Sequence, residues 1–202
     1  MRRHLETADI AKLLSDGSPF AEFCRHLAET CPTCGERLAE VEALMSRFRH
    51  WDAETVVREG PAAAELLETL LAKGEDCAAW CSAMKEEGEY QTWCVAWSAL
   101  ERAQSLIADD SARSAQAWDL ALLAAAITDH LGASYHPNSV SDLKALAHAT
   151  AAAAGPQATA AAIETLRQVA AAVAALDQGT GDPTVARDVM SLLSRVFRKA
   201  AE

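Results

Sequence analysis

Long hydrophobic runs are missing from this chain of 202 residues. Runs such as Ala151–Ala154 and Ala170–Leu176 are alanine-rich and far short of the roughly 20 strongly apolar residues that cross a bilayer. A membrane span is therefore not expected. An apolar leader is missing as well. Met1-Arg2-Arg3-His4 runs directly into a polar, acidic stretch, so no export signal is expected and the expected location is cytoplasmic. Excess positive charge is also lacking. The chain has 18 Lys and Arg against 29 Asp and Glu, a net charge of −11. Such a surface repels phosphate backbones, which argues against direct nucleic-acid binding. Finally, there is no Gly-rich phosphate loop, no His-Glu-x-x-His and no paired-carboxylate signature. No catalytic residue is expected, and the chain reads as a non-enzymatic protein.

Half of the residues are hydrophobic, enough for a substantial core. Apolar positions recur at helical spacing almost throughout, while β-branched alternation is scarce. The expected fold is all-α. The chain divides in character near His50-Trp51, giving an expected three-helix module over 1–50 and a larger helical domain over 51–202. In the first part Thr7 is a candidate cap for a helix carrying Ile10, Leu13 and Leu14. Asp16-Gly17-Ser18-Pro19 forms a turn, with Ser18 as N-cap and Pro19 as the first helical residue. A second helix runs to about Thr30. A third carries Leu38, Val41, Leu44, Met45 and Phe48 on one face.

Beyond it the spacing predicts a short helix near Thr55 that ends at Gly60, and another opened by Pro61 that stops near Gly74. Further helices are expected at about 75–87, 89–108, 111–131, 140–154, 156–176 and 183–200. The breaks are Gly88, Asp109-Asp110, Gly132 with Pro137-Asn138, Gly155-Pro156, and Gly179-Thr180-Gly181-Asp182-Pro183. Helices of this length on short connections make antiparallel hairpins, stacked as tetratricopeptide-like repeats or gathered into a bundle. In the last helix Arg187, Arg195, Arg198 and Lys199 would cap the array or make a dimer contact, so a homo-oligomer stays open.

The charge is uneven. Residues 51–110 hold 4 basic and 13 acidic side chains, while the segments on either side are each at −1. The acidic block is either a solvated face or a surface that attracts a basic partner protein.

The sharpest chemical pattern is His26-x4-Cys31-Pro32-Thr33-Cys34 with His4 upstream. Zinc takes four nitrogen or sulfur ligands in a tetrahedron. A Cys-x2-Cys knuckle offers two thiolates from one tight turn, stiffened here by Pro32. His26 stands about one turn before it, and His4 completes the set if the first helix folds back. A module of about 50 residues has little core and gains from a metal staple. Four protein ligands would close the coordination sphere, so one structural Zn2+ per chain is expected at His4, His26, Cys31 and Cys34. Cys24, two residues before His26, reads as a buried thiol, and as a fourth ligand only if His4 is not one.

These residues, with Ile10-Ala11-Lys12-Leu13-Leu14-Ser15-Asp16-Gly17 and Leu38, resemble the zinc-binding anti-sigma domain. That family pairs an upstream His with a downstream His-x3-Cys-x2-Cys motif on a small helical bundle that clasps a sigma factor. The resemblance covers about the first 45 residues, and the spacing from His26 to Cys31 is one residue longer than in the family. It implies metal binding by His4, His26, Cys31 and Cys34, and a protein partner such as a sigma factor or another basic regulatory protein. The remainder is similar to a group of bacterial proteins that place such a module before tetratricopeptide-like helices. That similarity rests on Gln91-Thr92-Trp93, the alanine-rich run through Trp118 to Leu131, Asp142-Leu143-Lys144-Ala145-Leu146-Ala147, and Gly179–Pro183.

Two other readings accompany the anti-sigma-like one. Zinc thiolates can be oxidised, which would make the module a thiol sensor with Cys24 as resolving thiol. Alternatively, zinc is purely structural and the repeats form an assembly scaffold. Trp93 and Trp97, at i and i+4, are either helix–helix core or aromatic anchors for a partner. Cys77 and Cys81 share a helix face. Beside Trp80, Trp93 and Trp97 they read, with Cys94, as core thiols rather than a second metal or redox cluster. Asp129, His130, Ser134 and His136 do not make a catalytic triad, because adjacent helical residues point apart and Ser134 lacks a nucleophile elbow.

Overall fold

The computed structural model describes residues 4–7, 9–11, 20–48, 53–109, 114–155 and 187–192, and among these no strand occurs. The fold is all-α. The helices are α1 (Phe20–Thr30), α2 (Pro32–Arg47), α3 (Ala53–Leu71), α4 (Cys77–Glu86), a 3-10 turn (Gly88–Tyr90), α5 (Trp93–Asp109), α6 (Ser114–Thr128) and α7 (Pro137–Ala154). Residues 9–11 and 187–192 are also helical. The expected turn at Asp16–Pro19, the helix at 156–176 and the Gly179–Pro183 break lie outside the described residues. The chain forms two compact units, 1–63 and 64–202.

In the first unit, helix starts and stops follow local chemistry. The N-terminal helix starts one position earlier than Thr7 as a cap implies, since Thr7 is itself helical. The Ile10 N–H donates to the Glu6 carbonyl (3.1 Å), and the Glu6 N–H donates to the Asp9 carboxylate (3.3 Å). Glu6 is thus the cap, with Asp9 reaching back to it as in half of a capping box. At the other end of α1 the Thr30 hydroxyl lies 3.2 Å from both the His26 and Leu27 carbonyls, meeting acceptors that a helix end leaves open. Pro32 then excludes Cys31 from helical geometry. Cys31 is extended (φ −132°, ψ 109°), and Pro32 opens α2 as its first residue. The α1 and α2 helices pack on each other, tightly at Gly35, where a Cβ would sit 3.1 Å from the Ala28 carbonyl oxygen. Ile10, Ala11, Val41 and Ala53 form the buried cluster, with Leu5, Leu38, Met45 and Val57 around it.

The structure corrects the reading of Gly60-Pro61 as a boundary. Helix α3 is continuous through both residues. Proline normally expels its predecessor from the helical region by clashing with that residue's Cβ. Gly60 has no Cβ, so that part of the clash is gone. The same absence admits Phe48, whose Cε2 would lie 2.9 Å from a Cβ at Gly60. Pro61 itself is exposed and still forfeits one N–H···O=C bond, to Val57. Pro61→Ala is therefore expected to raise stability by roughly 2–2.5 kcal/mol, the helical gain of about 3 less the roughly 0.4–1 of unfolded-chain entropy that proline removes. Urea denaturation measures it, and an unchanged or lower midpoint would count against the argument.

In the second unit Asp76 caps α4 by accepting the Ala79 N–H (2.9 Å). The Trp80 indole N–H reaches the carbonyls of Leu71 (3.1 Å) and Gly74 (2.9 Å), closing the C-terminus of α3. Thr92 receives the Val95 N–H (3.2 Å) at the start of α5. Pro137-Asn138, expected as a break, instead begins α7. Pro137 takes the first helical position, where its missing N–H costs nothing, and His136 Nδ1 accepts the Asn138 N–H (3.3 Å). Helix α6 is largely apolar and packs against α4, α5 and α7. Leu120, Leu123, Ala124 and Ile127 are wholly buried in it. The alanines of α7 allow close approach, and Gly155 just beyond lies under Trp118, whose Cζ3 would be 2.3 Å from a Cβ there. No described helix is long and apolar enough to cross a membrane.

Candidate metal centre

The two knuckle cysteines occupy defined places on α2: Cys31 is its N-cap and Cys34 stands three residues in. Side chains at these positions meet over the first turn. Cys31 makes no capping bond with its own side chain. The helix start carries partial positive charge, which favours anionic ligands such as thiolates.

His4 comes from 27 residues upstream of Cys31. Its Nδ1 lies 3.3 Å from the Cys31 sulfur and 3.9 Å from the Cys34 sulfur. His4, Cys31 and Cys34 place one donor atom each within 4.8 Å of one another, and such a group can hold a metal ion. Cys34 is buried, Cys31 is half-buried and His4 is exposed, so the group sits at the rim of the first unit.

A latch holds His4 there. The Arg37 guanidinium donates to the Leu5 carbonyl (2.5 Å), and the Leu5 side chain packs on the buried cluster. Arg37 is three residues beyond Cys34 and shares its side of α2. Sequence reasoning passed over this arginine. Its only sequence signal is that i+3 spacing, which many exposed arginines share.

His26 lies outside the three-residue group. Its ring is on the exposed side of α1, with Nδ1 3.6 Å from the Glu29 carboxylate. The Cys24 side chain lies outside the described residues. Trp93 and Trp97 stack at 5.2 Å between ring centroids. Trp93 is 1% exposed and belongs to the core, so the half-buried Trp97 presents the accessible part of the pair. Cys94 is buried. Cys77 and Cys81 are half-buried, with their sulfurs 3.7 Å apart.

The residues around 129–136 have structural engagements. Asp129 pairs with Lys144, and His136 caps α7. His148, half-buried on α7, has its pKa lowered by burial and by Lys144, with Asp129 opposing.

Comparison with protein-family models, curated proteins and solved structures finds no match. The functional reading therefore rests on the residues themselves.

Proposed function

We propose that the chain is a non-enzymatic regulatory protein whose N-terminal unit is stapled by one structural zinc ion and which acts by binding another protein, in the manner of an anti-sigma factor or adaptor. The observation that carries this is the convergence of His4, Cys31 and Cys34. Zinc bonds of about 2.3 Å to sulfur and 2.1 Å to nitrogen, at the tetrahedral angle, put S and N about 3.6 Å apart. The His4 distances of 3.3 and 3.9 Å bracket that value. Three such ligands suit a tetrahedral thiophilic ion and leave one position.

His26 is the proposed fourth ligand. It stands near the end of α1, five residues before Cys31. To reach the metal its ring must leave Glu29, an exposed contact of the kind that contributes about 0–1 kcal/mol. Structural zinc contributes about 10 kcal/mol or more, so the exchange favours the metal. Four protein ligands then exclude substrate and water, which makes the ion a staple rather than a catalyst.

The partner reading rests on charge and on the resemblance of the His-Cys-x2-Cys segment to anti-sigma domains. The acidic run over 51–110 complements a basic regulatory protein such as a sigma factor. Binding would cover the partner's own working face. The test is co-expression with a panel of bacterial sigma factors followed by size-exclusion chromatography at low and high salt. A stable complex that weakens as salt rises is the expected result. If no sigma factor co-elutes at low salt, the anti-sigma-like reading fails and a scaffold with a structural zinc takes its place.

A further inference from the structure

Helix α4 carries a second thiol pair that the zinc staple does not use. Cys77 and Cys81 are one turn apart, and their sulfurs approach to 3.7 Å. Both are half-buried, so one side of the pair is open. A disulfide is the ordinary fate of adjacent thiols, yet this geometry opposes it. Residues four apart on a helix hold their Cβ atoms about 5–6 Å apart. A disulfide requires about 3.5–4.5 Å. Closing the bond would distort α4 next to Asp76, the residue that caps it. The pair is thus better disposed to chelate than to oxidise.

The donor set indicates which ion it suits. Thiolate sulfur selects soft metals. Zinc needs four ligands, and among the described residues the only group of three or more donors is the one at His4. Two sulfurs alone suit an ion content with two ligands, and monovalent copper is the soft ion of that kind. Its approach is favoured by charge, because Asp76 and Asp119 both act electrostatically on Cys77.

We propose that Cys77 and Cys81 form a second, separate metal site that takes one monovalent copper ion as a two-sulfur chelate. On binding, two sulfur–copper bonds form and the two thiol protons leave to solvent. No electron transfer is involved. The thiols are already arranged for this: the two sulfurs lie 3.7 Å apart and share an S–H···S hydrogen bond that either can donate.

The experiment is an anaerobic titration of the full-length protein with copper(I) supplied as its bicinchoninate complex, whose colour falls as the protein takes the ion. The variants are Cys77→Ala, Cys81→Ala and Cys31→Ser. Alanine is the strongest helix former, so the first two keep α4 intact, which circular dichroism checks. The expected result is one copper equivalent lost in both Cys77→Ala and Cys81→Ala and retained in Cys31→Ser. Uptake unchanged in the two α4 variants overturns the site. So does an equivalent that disappears only with Cys31→Ser, because the copper would then be occupying the His4 group. Loss with only one of the α4 variants overturns the chelate. The outcome does not depend on whether the first unit holds zinc.

Discussion

Cys34→Ser is expected to abolish zinc binding and to unfold the first unit under conditions in which the parent is folded. The reason is the small size of its core. Among the described residues of this unit, the buried apolar side chains are Ile10, Ala11, Cys34, Val41, Phe48, Ala53, Val56 and Ala63, of which three are alanines. Burying alanine removes little apolar surface from water, and at about 25 cal/mol per Å² such a core contributes on the order of 10 kcal/mol. The entropy cost of ordering some 60 residues is of the same size as the whole hydrophobic gain or larger. A structural zinc contributes an apparent 10–16 kcal/mol in small zinc modules, which is at least as large as the contribution of that core. Cys34 is 4% exposed, and a serine hydroxyl there supplies neither a thiolate nor an apolar group.

The measurement pairs zinc content by atomic emission with hydrogen exchange over residues 20–48. Slow exchange in the parent and fast exchange in the variant is the expected pattern. Treating the parent with a strong chelator should reproduce it. A variant that keeps its zinc, or that loses zinc yet keeps its slow amides, would remove the metal from the account of the fold. His4→Ala and His26→Ala distinguish the ligands. Loss in the first with retention in the second would leave His26 on the surface beside Glu29 and put another donor in the fourth position.

Leu120→Ala is expected to destabilise the second unit by about 2–5 kcal/mol without changing the zinc content. Leu120 is wholly buried on α6, the helix against which α4, α5 and α7 all pack. Its neighbours on α6 are largely alanines and leucines, held by backbone proximity as much as by side chains. They have few atoms with which to fill a vacated volume, so collapse into the cavity will be limited and the cost should fall toward the upper part of that range. The denaturant midpoint reads the effect, with the slope unchanged if only native stability is altered. A shift under 1 kcal/mol would mean that α6 is not the organising helix of this unit.

Much of the local structure was legible because helical periodicity and capping are short-range properties. The end of α1 at Thr30, the knuckle at Cys31–Cys34 and the apolar face of α2 all follow from residues within one or two turns. The misreadings have physical causes. Gly60-Pro61 looks like a breaker because each residue alone disfavours a helix. Together, glycine removes the steric objection that proline raises, and Phe48 packs where the Cβ would have been. Pro137-Asn138 has two readings, loop or helix start, and His136 as N-cap selects the second. Cys77 and Cys81 share a face by spacing alone, but spacing does not tell how deeply that face is buried.

The sequence alone determined the all-α class and the places where helices can begin and end, because those depend on neighbours three or four residues apart. It also singled out the two thiols of the knuckle, since both lie in one turn. Only the tertiary structure decided that His4 meets them across 27 residues, that Arg37 latches Leu5 beside it, and that Trp93 lies in the core while Trp97 keeps an exposed part. Each of these depends on closing a long stretch of chain. The free energy for that closure comes from packing between helices, and periodicity along one helix carries no record of which face meets which.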